Sequence, residues 1–183
     1  MSQIGYPAGC AQTSPGYNVN CCPIKEGARV RHVAWIKDTL PSDFDPTDED
    51  AWTAQILAGN IIVISNTRGS TDGGTWSESD GFGDTVTEIE QFTEVVTYTD
   101  RNFLGNEANY NALARSKNQR VAFFSANRGW ISDTPATWKP KRPINGDAKQ
   151  SIYGEIEVTY TQDNMPESFI YPQSIFQCFN ITD

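Results

Sequence analysis

Hydrophobic and polar positions alternate most regularly over residues 151–161, where Ile152, Ile156, Val158 and Tyr160 fall on one side and Tyr153, Glu155, Glu157 and Thr159 on the other. A period of two marks a strand of an antiparallel sheet with one face buried and one wet. Residues 84–99 are rich in Thr, Val and aromatics, which suit a pleated surface. In the next stretch, 100–115, Phe103, Leu104, Tyr110, Leu113 and Ala114 can share one helical face. A polar break at 116–119 precedes another strand pattern over 120–126. This run predicts a helix near 102–116 lying across a sheet at the centre of the fold.

The flanking segments fill in the architecture. Residues 28–37 read as a strand, with Val30, His32, Ala34 and Ile36 on one side and Arg29, Arg31, Val33, Trp35 and Lys37 on the other. A helix is predicted over 46–58. Asp45 suits its N-cap and Pro46 its first position, Asp48, Glu49 and Asp50 sit at its positive end, and Gly59 suits its stop. Trp52, Ile56 and Leu57 form its apolar side. The apolar run 60–65 predicts a strand buried on both faces. Residues 66–83 are polar and Gly-rich with lone aromatics at Trp76 and Phe82, the composition of a long loop. A turn is expected at Gly129, a Pro-rich connection over 133–146, and a last strand or docked arm over 174–181. Residues 1–27 are too dense in Gly and Pro for a long helix, yet Ile4, Tyr6, Tyr17, Val19 and Ile24 give them apolar character. Such an arm wraps its own domain or docks on a neighbouring subunit.

The expected fold is α+β and mainly β: an antiparallel β-sandwich or barrel-like sheet with one packed helix, a second short helix, a long loop and extended terminal arms. The body spans 28–164, with arms at 1–27 and 165–183. At 183 residues, one domain accommodates all of this.

Charge narrows the partners. A net charge of −9 repels nucleic-acid phosphates, which argues against a sequence-independent grip on DNA. No apolar run reaches the roughly 18–20 residues of a membrane helix, and the first residues lack the basic end and apolar core of a secretory signal. Without such a signal the sequon at Asn180 reads as a chance match.

Candidate chemistry is sparse. Cys10, Cys21, Cys22 and Cys178 lack zinc-site spacing, and His32 is the one histidine. The adjacent pair Cys21 and Cys22 is too constrained to bridge itself comfortably. These cysteines read as reduced, partly buried thiols, or as a meeting point of the two arms if Cys178 lies near an arm cysteine. Asp72, Glu78, Asp80 and Asp84 do not follow a calcium-loop spacing, and the Gly-rich run lacks the ending of a phosphate-binding loop. No nucleophile, metalloprotease or dinucleotide motif is present. No catalytic residue, metal ligand or cofactor is predicted, and the chain does not read as an enzyme. A glycosidase carboxylate pair is the enzymatic arrangement that sequence alone leaves open. Lys139, Lys141 and Arg142 form a basic island, either a solvated loop or a partner for an acidic patch on another copy.

The 81–83 Gly-Phe-Gly, the strand 85–99, the helix near 102–116 and the strands 120–126 and 151–161 together resemble, in layout, the tail-tube proteins of tailed bacteriophages and their head–tail relatives. The resemblance covers about half the chain and rests on layout, not on a diagnostic motif. It implies a virion structural protein, a homo-oligomer whose sheets close into rings while the loop 67–83 and the arms contact the next ring. Other virion proteins would be further partners, and an acidic lumen would let DNA pass without sticking. On this reading Tyr6, Tyr17, Arg68, Trp76, Phe82, Lys139, Arg142 and Phe176 are the expected assembly contacts. Two alternatives are a capsid decoration protein and a β-sandwich carbohydrate-binding module stacking sugars on exposed Trp76, Trp130 and Trp138.

Overall fold

A computed structural model describes residues 29–80, 87–144 and 152–177. Among these residues, ten strands and three short α-helices build a mainly β structure of two antiparallel sheets, as the alternation predicts. One sheet contains β3 (Arg68–Thr71), β5 (Thr87–Asp100), β9 (Gly154–Gln162) and β8 (Thr137–Lys141), in that order. β4 (Thr75–Asp80) continues from β3 along the same edge of β5. The other sheet runs β10 (Phe169–Ile170), β7 (Arg128–Ile131), β6 (Gln119–Phe124), β1 (His32–Lys37), β2 (Ile61–Ile64).

The period of two sorts side chains into layers. Val33 and Trp35 of β1 and Val121 and Phe123 of β6 face Val96, Tyr98, Ile156, Val158 and Tyr160 of the opposite sheet. Ala34, Ile36, Ala122 and Phe124 point the other way, into a second apolar cluster with Trp52, Ile61, Tyr171, Ile175 and Phe176. The β1–β6 sheet is therefore covered on both sides, which explains its near-continuous apolar runs. The β5–β9 sheet is covered on one side. Its outer face carries Thr93, Thr97, Thr159 and Glu157, and this is the wet face that the alternation of β9 predicts.

The sheets meet at a corner where Val30 and Gly69 exchange backbone hydrogen bonds, N to O 3.1 Å each way. A Cβ at Gly69 would lie 2.5 Å from the Thr97 carbonyl oxygen, so only glycine lets the chains close here. Val30 consequently enters the inter-sheet core with Val33 and Trp35, not the side of Ala34 and Ile36 that a continuous strand from residue 28 predicts.

The predicted helix near 102–116 is present as a 3-10 turn, Phe103–Asn106, followed by α2, Glu107–Arg115. It joins strands of different sheets and plugs the sandwich beside β8; it does not lie across a single sheet. Phe103, Tyr110 and Leu113 are buried, but Leu104 and Ala114 are exposed; Leu104 lies in the tighter first turn, which rotates it off the face that α2 buries.

The first helix, α1, spans Glu49–Leu57 and starts later than predicted. Asp45 caps the preceding turn, accepting from the Thr47 N–H and hydroxyl, and Asp48 is the helix N-cap. Trp52 is buried, whereas Leu57 points to solvent. Gly59, at φ +71°, ends the segment as expected.

Further expectations change. β2 is an edge strand with Ile62 half exposed, not a strand buried on both faces. Much of the polar stretch 66–83 is strand, since β3 and β4 both pair with β5. The turn near Gly129 falls at residues 125–127, with Gly129 inside β7. In the Pro-rich connection β8 pairs along β9, and the C-terminal region packs onto the body as β10 and α3 (Ser174–Gln177). The amino-terminal arm, its three cysteines, Cys178 and the sequon lie outside the described residues.

Candidate assembly surface

β5 is a strand of two halves. Over Phe92–Asp100 β9 pairs along the whole of one edge and β4 and β3 along most of the other, and Phe92, Glu94, Val96, Tyr98 and Asp100 are buried. Residues 87–91 pair with β4 alone, because β9 ends opposite Phe92 at Gln162. All five are exposed, as are Thr75, Trp76, Ser77, Glu78 and Asp80 on β4. β4 and the outer half of β5 thus form a hairpin that runs on past the body, with both outer strand edges unpaired among the described residues. The backbone leaves the body through Gly73 and Gly74, at φ +81° and +73°, a left-handed pair that suits glycine. Asp72 fixes this departure: its carboxylate accepts from the Gly74 and Val95 N–H groups at 2.9 and 3.0 Å.

The hairpin is acidic. It carries Glu78, Asp80, Glu88 and Glu90, and no Lys or Arg occurs between Arg68 and Arg101. Its exposed apolar residues are Trp76, 44% exposed and tilted against the Phe92 ring at 5.1 Å, and Ile89, 65% exposed.

At the far end of β5 the chemistry reverses. Arg29 and Arg31 flank the sheet corner, Arg68 opens β3 opposite Thr99, and Arg101 follows β5. Arg29, Arg68 and Arg101 line an open groove of about 960 Å³ with Asn66, Thr99, Ile152 and Tyr153. An adjoining hollow shares Arg29, Arg101 and Asn66 and adds Arg31, His32 and Thr67. Arg29 donates to the Thr67 carbonyl at 3.1 Å, and none of the four guanidinium groups has a carboxylate within ion-pair distance among the described residues.

His32 borders this end as a structural residue. Its ring stacks on Phe176 at 4.0 Å and its Nδ1 accepts from the Asn66 N–H at 3.3 Å. Burial, helped by the Arg31 charge, lowers its pKa from 6.5 to about 4, so the ring is neutral at physiological pH.

The interior titratable groups are held by one another. The Tyr110 hydroxyl donates to Asp100 at 2.7 Å, Trp35 Nε1 donates to the Tyr98 hydroxyl at 3.2 Å, and Tyr160 donates to Glu94. Burial pushes all three phenols well above their ordinary value. Glu94 and Asp100 point inward from one strand six residues apart, about 20 Å at the usual rise per residue. A glycosidase pair needs roughly 5–10 Å. Among the described residues no group of three or more His, Cys, Asp or Glu is placed to hold a metal.

The expected contacts sort unevenly. Arg68 lies in the groove and Trp76 on the hairpin. Phe176 is buried in this chain's own second cluster and has no ring face to offer a neighbour. Lys139 and Lys141 pair with Glu157, and Arg142 pairs with Glu107, so the basic island is matched within the chain. Tyr6, Tyr17 and Phe82 lie outside the described residues. The proposed sugar platform reduces to Trp76: Trp138 is buried, and Trp130 is half-buried and stacked on Phe123 at 5.4 Å. Residue-by-residue reading misses Arg29, Arg31 and Arg101, which are scattered along the chain. The signal that could have found the arrangement is the long base-free, carboxylate-rich run bracketed by Arg68 and Arg101.

Comparison of the chain with protein families, with curated proteins and with solved structures finds no match.

Proposed function

We propose that this chain is a structural subunit that assembles with copies of itself: a virion protein of the tail-tube or head–tail kind, building stacked rings and meeting other virion proteins at their ends. The observation that carries this reading is the hairpin. Ten of its residues are exposed while two strand edges stay unpaired among the described residues, so it contributes little to the core that those residues build. A free edge is a hazard for a protein that works alone and an asset for one whose neighbours cover it. The net charge of −9 supports passive passage of DNA through a ring lumen, with no sequence-specific grip.

Negative-stain microscopy of the full-length chain tests the reading. Rings or tubes are expected. A protein that stays a dispersed monomer at high concentration contradicts it, and binding of that monomer to a capsid would assign the decoration role instead.

A further inference from the structure

We propose that the acidic hairpin of one copy docks in the four-arginine groove of the next, giving the assembly a head-to-tail polarity. The inference rests on the self-assembly reading and names the two surfaces that meet. Both are charged far beyond what the fold uses. The groove gathers Arg29, Arg31, Arg68 and Arg101 with no carboxylate partner among the described residues, in a chain whose net charge is −9. Thr67, only 2% exposed, lines it with a hydroxyl that has no hydrogen-bond partner. The hairpin holds the complementary set: Glu78, Asp80, Glu88 and Glu90 without a base.

Geometry excludes docking within one chain. Glu88 and Asp100 stand at opposite ends of β5, about 40 Å apart at the usual strand rise. β9 pins the strand along Phe92–Asp100, so the hairpin cannot fold back to the groove. The contact therefore joins different surfaces of different copies, and such heterologous contacts close into rings or run on as filaments. Like charge on every hairpin also disfavours hairpin-to-hairpin pairing, which would otherwise be the easiest use of two open edges.

A charge swap tests the pairing. One variant carries Glu88→Arg and Glu90→Arg; the other carries Arg68→Glu and Arg101→Glu. All four positions are exposed, and circular dichroism checks that both variants fold. In sedimentation velocity at physiological salt each variant alone should associate at least about tenfold more weakly than the unaltered chain. An equal mixture of the two should recover association as mixed pairs, because the unaltered acidic hairpin of the groove variant then meets the unaltered arginine groove of the hairpin variant. Two variants that fail alone and fail together would overturn the pairing. If both assemble like the unaltered chain, self-assembly stands and this contact is wrong; if the unaltered chain never assembles, the self-assembly reading falls with it. A groove variant that still self-associates but loses binding to a labelled oligonucleotide would place nucleic acid in the groove and overturn the proposal.

Discussion

The two halves of β5 show how one strand divides its labour. From Phe92 to Asp100 it has a neighbour on each edge and every second side chain in the core. From Thr87 to Gln91 it has one neighbour among the described residues, β4, and no buried side chain. The chemistry changes at the same place. The inner half spends its two carboxylates, Glu94 and Asp100, on hydrogen bonds with Tyr160 and Tyr110, while the outer half leaves Glu88 and Glu90 in solvent. Stability therefore resides in the inner half. The outer half is free to serve contacts beyond the chain.

The largest effect that can break this division compares two tryptophans. Trp138 on β8 is buried with its indole nitrogen 3.4 Å from the Gln119 carbonyl oxygen, and Trp76 sits on the hairpin. Trp138→Ala should cost about 3–5 kcal/mol in denaturant unfolding. Trp76→Ala should cost about 1 kcal/mol or less, since it loses one partly exposed ring contact. Equal losses would show that the hairpin belongs to the core.

A smaller effect tests the inner half alone. Tyr98, Tyr110 and Tyr160 keep their protons in the folded chain at pH values where an unfolded tyrosine, near 10, releases its own. The folded state then binds more protons than the unfolded one, so the stability these phenols contribute is intact below pH 10 and is lost as the pH rises above it. Unfolding midpoints should fall beyond pH 10, and absorbance titration should show phenolate appearing together with unfolding. Free titration of all seven tyrosines near 10 without unfolding would contradict the buried network.

The smallest effect lies at the groove end. His32 has its folded pKa lowered from 6.5 to about 4, so the stability it lends is present above 6.5 and is lost as the pH falls from 6.5 towards 4. As the single histidine, it gives one ring signal in proton NMR, which should titrate near 4. A midpoint near 6.5 would mean that the ring is not packed against Phe176.

The inner half of the molecule was the legible half. Alternation at Ile156, Val158 and Tyr160 named a strand because each inward residue is apolar. Gly59 marked a helix end because its conformation suits glycine. The outer half was not legible as structure. β4 reads as loop because both its faces are wet, so no apolar period exists to detect. β8 hides similarly: Trp138 is its one fully buried side chain, and Pro140 is tolerated because the strand lies at the sheet edge. At the candidate site, Arg68 and Trp76 could be singled out from sequence. The basic island could not be discounted, because its pairing with Glu157 depends on the β8–β9 register, which composition does not encode.

The most direct test shortens the hairpin. Trp76 and Phe92 are register partners, so replacing residues 77–91 with Asn-Gly closes the strands through a two-residue turn of the favoured type. Sedimentation velocity and thermal unfolding are then read on the same sample. The account predicts a melting temperature within about 4 °C of the unaltered chain, a change of roughly 1 kcal/mol, and a particle that sediments as a monomer where the unaltered chain forms large oligomers. Oligomers of unchanged size from the shortened chain, or its collapse to an unfolded state, would contradict the claim that the outer half of β5 exists for assembly and not for the fold.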